Sequence, residues 1–473
     1  MISLQHSYRE LPAPLFASTI PQYFSTPTPC LINDTLAKEL GLPHDENLLS
    51  LLHGNQNSSL VIAQAYSGHQ YGHYNRLGDG RAALIGEIKT SQNKILDIHL
   101  KGSGRTAFSR NGDGKATLNA MLREYLISEA MAALAIPTTR SLLVATTGEN
   151  IFRDQERIGA VLARVASSHI RVGTFQLASE FGETIVRSLA DYTIARHYSN
   201  CQISDNPYLC LFNQVKQKQI ALIIDWLRVG FIHGVMNTDN MLLCGETVDY
   251  GPCAFMDEYH PQTVFSSIDS YGRYAFGQQP QIAKWNLSKF AETLVPLVDT
   301  NQEKAISALQ IALDSFDLEF NQAWITMMSK KLGLAEATID QTELLELITS
   351  LLTIMQEQSM DYTNTFALLT YPNTSTAKID QNKEFNQWYK NWKNKTDSLA
   401  VVSQSQMQQN NPVYIPRNHL VEYALTQAEK GNVAAVTQLR SILTSPYQIQ
   451  DINPNYQSPP TPSERIQNTY CGT

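Results

Sequence analysis

The sequence predicts an α+β protein built from two lobes, a strand-rich first part and a larger helical second part. Three observations predict it. Between Ala63 and about Gly173, Gly-rich turns alternate with short apolar runs. After about residue 175 apolar residues recur at helical spacing. A Gly-, Asp- and Tyr-rich irregular segment, about 232–280, interrupts those helices. Two lobes of different make-up leave a cleft between them, a common place for a ligand.

The elements follow in order. Residues 1–60 are Pro-punctuated, and Asn33–Gly41 reads as one short helix with an Asn or Asp cap and a Gly stop. Ile95–Lys101 alternates around Asp97 and His99, as a strand with one buried face does. Leu118, Met121, Leu122, Tyr125, Leu126 and Met131 form a helical stripe that Pro137 ends. Ile158–Val165 reads as another buried strand, and Met241–Leu243 as a short apolar one. Helices are expected over Phe175–His197, Tyr208–Phe231, Gln281–Val298, Gln302–Leu332 and Thr342–Gln356. The Gln/Asn-rich stretch Ala400–Pro412 reads as a loose linker, and the Pro- and Ser-rich tail Asp451–Thr473 has no helix pattern.

Composition removes several function classes. The chain has 473 residues, with 36 Lys plus Arg against 44 Asp plus Glu, for a net charge of −8. Charged residues are 17% of it, below the roughly 25% of ordinary soluble domains. At 43% hydrophobic the chain has material for a large core. An acidic balance argues against a nucleic-acid coat. No apolar run approaches the roughly 20 residues of a membrane helix; the best, Ile220–Leu227, is interrupted by Asp225. The start resembles neither a signal nor a transit peptide. The six cysteines (Cys30, Cys201, Cys210, Cys244, Cys253, Cys471) show no metal spacing, so reduced cytoplasmic thiols, mostly in the core, are expected; separately, the chain is expected to be a monomer.

Four groups of residues carry chemistry. In Leu77–Gly86, Gly78 and Gly80 let backbone N–H groups approach a phosphate and Arg81 adds a charged fork. By itself the pattern reads first as a plain β-turn, since Ala83 replaces the third glycine. Lys101 ends the alternating strand, and Glu124 follows on a helix near the middle of an apolar stripe, where a carboxylate needs a partner. A strand-to-helix Lys–Glu pair is how protein kinases position ATP. Between them, the turn Ser109–Gly114 can set Asp113 and the Gly114 backbone against a ligand. Third, His233–Asn240 is followed by Asp249-Tyr-Gly-Pro252. Asn240 and Asp249 suit a hard divalent cation that also takes phosphate oxygens, leaving Asp239 to accept a hydroxyl proton; Asx turns are the competing reading. Fourth, Arg164 and Arg171 converge on one anion if the chain turns between them, or are ordinary surface arginines.

Together these residues resemble the selenoprotein O (YdiU-type) family over nearly the whole chain. The strongest words are Gly68-His-Gln-Tyr-Gly72, Leu77–Ala82, Lys101-Gly-Ser-Gly-Arg-Thr106, Arg123–Met131, Ile136-Pro-Thr-Thr-Arg140, His233–Met241, Asp249–Pro252 and Ile415-Pro-Arg-Asn-His419. The resemblance implies a protein kinase-like bilobal fold: an N-terminal extension over 1–60, a nucleotide-binding N-lobe over 61–175, a helical C-lobe with the catalytic and metal-binding loop over 176–385, and a C-terminal extension and tail over 386–473. It implies transfer of AMP from ATP to Ser, Thr or Tyr hydroxyls of proteins, itself included, with pyrophosphate leaving; UMP transfer from UTP is attributed to the bacterial branch. By the same resemblance Gly78, Gly80, Arg81, Lys101, Asp113, Gly114 and Asp249 hold the nucleotide. Glu124 orients Lys101, and Arg164 and Arg171 grip the departing phosphates. Asn240 and Asp249 bind Mg²⁺ or Mn²⁺, and Asp239 is the proton acceptor.

Some features depart from either pattern. Asp239 and Asn240 are adjacent where kinases separate the two, and His233 lies six residues before Asp239. Asn75-Arg76 and Ala107 replace the family's Pro-Gln and Pro. Cys471 stands at the selenocysteine position of eukaryotic members, but Asn468 replaces the preceding cysteine, so a local redox pair is absent. The rival readings are a kinase using the same ATP site and an inactive nucleotide-binding pseudokinase scaffold.

Overall fold

A computed structural model describes residues 2–43, 46–54, 58–334, 339–372, 382–397 and 400–470. The strands are β1 (Phe16–Ser18), β2 (Thr28–Ile32), β3 (Ile62–Gln64), β4 (Ser67–Gln70), β5 (His73–Arg76), β6 (Ala82–Lys89), β7 (Ile95–Lys101), β8 (Ala116–Thr117), β9 (Arg140–Phe152) and β10 (Glu156–Ala166), with β11 (Phe231–Ile232) and β12 (Ala254–Phe255) further on. An antiparallel sheet runs in the order β1-β3-β6-β7-β10-β9-β2, with β8 added on β10; β4–β5 and β11–β12 are separate two-stranded ribbons. Helix α1 (Asp34–Glu39) is capped by the Asn33 side chain, which accepts from Leu36 N, and Gly41 follows at φ +67°. Helix α2 (Leu118–Ala133), capped by Thr117, crosses the sheet.

Both faces of that sheet are covered. Ile98 and Leu100 of β7 join Ile85, Leu143 and Val161 against Leu36, Leu48, Leu51 and Leu52 of the N-terminal segment. The other face of β7 carries Asp97, His99 and Lys101, and these are buried too, at 1%, 0% and 7% exposure. The alternation therefore marks two buried faces, one apolar and one polar, rather than one buried and one wet. A buried polar face is stable only when its groups are partnered, and these partners build the site described below.

The helical part holds α3 (Val172–Glu180), α4 (Glu183–His197), α5 (Pro207–Val229), α6 (Gln279–Val298), α7 (Gln302–Asp314), α8 (Phe316–Lys331), α9 (Gln341–Glu357), α10 (Tyr362–Thr370), α11 (Lys383–Asp397), α12 (Ala400–Asn410), α13 (Asn418–Glu429) and α14 (Ala434–Leu443). Two expected helices are each divided. Gly182, at φ +96°, separates α3 from α4, and Ser315 separates α7 from α8. Ala400–Asn410 is helical, correcting the linker reading: α12 packs on α8, and Asn411 anchors its end by donating to Lys331 O and Thr370 Oγ1. Met241–Leu243 is not a strand but a single antiparallel bridge, Leu242 to Arg171. Cys201 and Cys210 are disulfide-bonded, against the expectation of reduced thiols, because the turn after α4 brings the start of α5 back to within bonding reach. Cys471 lies outside the described residues. Among the described residues no helix is long and apolar enough to cross a membrane.

Candidate active site

The sheet, the turn after β7 and the 232–250 segment enclose a cleft of about 680 Å³. Gly78, Gly80, Arg81, Lys101, Asp113, Gly114, Arg164, Arg171, Asp239, Asn240 and Asp249 all line it. Glu124 lies just behind, 2% exposed. Residues spread over 172 positions of sequence thus meet in one place.

Lys101 sits at the end of β7 because β7 pairs with both β6 and β10, which fixes its register. Its Nζ donates to Glu124 Oε2 at 2.6 Å and to Asp249 Oδ1 at 2.6 Å. The expected Lys–Glu pair is therefore a larger cluster, for Arg164 Nη1 also donates to Glu124 Oε1 at 3.0 Å. Burial pushes the Glu124 and Asp249 carboxyls up, but the neighbouring cations outweigh it and hold both below the ordinary carboxylate range. Those cations are Lys101 and Arg164 for Glu124, and Lys101 and Arg81 for Asp249. Asp249 takes the left-handed φ of +69°, tolerated by a short polar side chain. His233 secures the segment before it. Val235 N donates to His233 Nδ1, so the ring proton sits on Nε2 and is donated to Val248 O at 2.9 Å.

Arg164 and Arg171 are not surface arginines; they are 3% and 5% exposed. Arg171 Nη1 donates to Asp239 O at 2.6 Å, and its guanidinium lies over the Tyr66 ring at 4.4 Å. Each arginine keeps a buried Nε with no hydrogen-bond partner.

Asp239 and Asn240 share a 3-10 turn, Thr238–Asn240. The turn is held against the 170–172 segment by Val172 N to Met241 O and Leu243 N to Ile170 O, each 2.9 Å. Gln70 Nε2 donates to Asp239 Oδ2 at 3.3 Å, while Asp239 Oδ1 is buried without a partner. Burial raises the Asp239 carboxyl to about 6. Asn240 Nδ2 donates to Val235 O at 3.0 Å, leaving its amide oxygen to accept. Asp113 is held by a two-pronged contact from Arg153 at 2.8 and 2.9 Å, and that contact lowers its carboxyl.

With the geometry in place, comparison with known proteins decides the family. The family model for protein adenylyltransferase SelO matches residues 2–444. The chain belongs to the SelO family. It is 48% identical to a protein nucleotidyltransferase YdiU of Clostridium botulinum (strain Alaska E43 / Type E3), over 100% of this chain and 98% of that protein. It is 49% identical to the protein of the same name from Shouchella clausii (strain KSM-K16), over 100% of this chain and 99% of that one. The kinase-like two-lobed α+β fold and the nucleotidyltransferase activity onto protein, with ATP as donor, follow from this membership.

Several groups around this SelO site escape a reading of the sequence alone. Tyr66, Asp79, Arg153 and Gln70 all touch site residues. Asp79 had a signal, since it stands between Gly78 and Gly80; Tyr66 and Arg153 had none. Gly68 has a definite reason to be glycine, because a Cβ there would overlap the Asp239 carboxylate. Its φ is not in the left-handed region, so alanine fits the backbone and only displaces the acid. Gly68→Ala is expected to lower transfer about 100-fold, as misplacement of about 1 Å can, with the melting temperature little changed. Full activity in this variant would contradict the geometry.

Proposed function

We propose that the chain transfers AMP from ATP to Ser, Thr or Tyr hydroxyls of proteins through the cleft residues named above. The observation that carries the proposal is Asp239: a carboxylate that burial raises to about 6, at the wall of a cleft also lined by Arg81, Lys101, Arg164 and Arg171. The cations neutralise the triphosphate, which is most of the work in phosphoryl-type transfer. The Asp239 carboxylate takes the acceptor proton as the hydroxyl oxygen bonds to the α-phosphorus. The bond from that phosphorus to the bridging oxygen breaks, and pyrophosphate leaves.

A divalent cation fits the donor set. Asn240 and Asp249 offer amide and carboxylate oxygens beside the phosphate site, the donors a hard cation takes. Magnesium or manganese, when bound there, neutralises phosphate charge. Lys101 holds Asp249 through Oδ1, and its lowered carboxyl keeps it ionised.

Arg164 and Arg171 hold the β- and γ-phosphates in this reading, and Asp113 and Gly114 contact the nucleotide. The test is incubation with ATP labelled at the α or the γ position and a protein acceptor. Label enters protein from the α position only. Label from the γ position would establish a kinase, and ATP binding without either would establish an inactive scaffold. UTP in place of ATP, followed by intact mass, reports whether UMP is also carried.

A further inference from the structure

Beneath the cleft lies a buried network that the reaction as written does not use. Asp79, 3% exposed, sits in the turn between Gly78 and Gly80. Its Oδ2 accepts from Gln64 N at 3.1 Å and faces His99 Nε2 at 2.9 Å, and its Oδ1 lies 3.7 Å from Arg171 Nη2. His99, fully buried on β7, faces Arg164 Nη2 through Nδ1 at 3.0 Å. An arginine can only donate, so Nδ1 accepts and the proton sits on Nε2, donated to Asp79. His99 is thereby neutral with its tautomer fixed, and its ring stacks on His169 at 4.3 Å. His169 is in turn held by Asp97, which pairs with Arg196 of α4.

One carboxylate in the glycine turn thus reaches both arginines, Arg171 directly and Arg164 through a single imidazole. We infer that Asp79 and His99 are positioning residues that aim Arg164 and Arg171 at the departing pyrophosphate. The inference rests on the reading above that those arginines hold it. Long arginine side chains lose considerable rotamer freedom when ordered. A site that fixes them in advance spends less of its binding energy on ordering them when the phosphates arrive.

The network also couples three elements. Asp79 belongs to the turn before β6, His99 to β7 and Arg164 to β10, and β7 pairs with both of its neighbours. A shift of the glycine turn therefore changes the aim of both arginines together.

The test measures binding of inorganic pyrophosphate and, separately, of AMP to the full chain by calorimetry with magnesium present. His99→Phe keeps the ring stack and removes both hydrogen bonds; Asp79→Asn removes the charge. Both are expected to weaken pyrophosphate about 10-fold while AMP changes less than about 2-fold. The direction discriminates: deleting a negative charge near an anion site by Coulomb's law alone tightens the anion. Pyrophosphate affinity unchanged or increased in folded variants overturns the inference, as does equal loss for pyrophosphate and AMP, the mark of a merely structural role. Should Asp79→Asn fail to fold, His99→Phe decides alone. Arg164→Ala separates the two levels. Pyrophosphate lost there but kept in His99→Phe overturns only the positioning role. Pyrophosphate kept in Arg164→Ala overturns the reading of the site as well.

Discussion

Asp239→Asn lowers AMP transfer by about 10²- to 10⁴-fold, the range supplied by a positioned general base, and leaves nucleotide binding intact or tighter. The substitution preserves shape in a position only 6% exposed. It removes the one oxygen that lacks a partner, Oδ1. ATP is held by cations, Arg171 among them beside Asp239, so loss of a nearby negative charge does not weaken it. The same residue sets the acid limb of the pH profile. Burial lifts its carboxyl to about 6, so the wild-type rate falls as pH drops through about 6 and the base becomes protonated. Above that value the base is ionised and the limb is flat. The measurements are initial transfer rates across pH and equilibrium nucleotide binding. A loss below about 10-fold, or an unchanged acid limb in the Asn variant, would remove Asp239 from the role of proton acceptor.

Glu124→Ala destabilises the fold by about 3 kcal/mol or more, read from urea unfolding, and lowers transfer as well. Glu124 is the shared anion of Lys101 and Arg164, all three nearly inaccessible to water. Removing one partner of a buried ion pair leaves an uncompensated charge, which costs about 3–5 kcal/mol. Asp249 still partners Lys101 and His99 still partners Arg164, which places the effect near the lower end. Being buried, the interaction is little screened, so the loss persists at high salt. Glu124→Gln, which keeps the packing, separates charge from cavity. A loss below about 1 kcal/mol, the scale of an exposed pair, would show that the cluster is not held as described.

Both predictions concern residues that stood out in the sequence, and for a physical reason. Charge is scarce in this chain, so an acid in an apolar helical stripe, such as Glu124, announces a buried partner. The α1 cap, the β7 alternation and the α2 stripe were legible because each is set by local geometry and repeating spacing. The helix breaks at Gly182 and Ser315 were less so, since apolar spacing continues across them. The stretch 400–412 misleads because its Gln and Asn side chains carry no apolar stripe, and tertiary contacts with α8 make the helix.

By itself the sequence determined the two-part architecture, the family and the residue types available for nucleotide chemistry, because periodicity, spacing and long matching words are properties of the chain order. Tertiary structure alone decided which charges meet. Lys101 pairs with Asp249 as well as Glu124, Gln70 covers one oxygen of Asp239 and leaves the other bare, and Asp79 reaches Arg164 through His99. These pairings join positions 20 to 169 residues apart. They arise only when sheet register and the β4–β5 ribbon bring distant segments within hydrogen-bond distance, which no local pattern encodes.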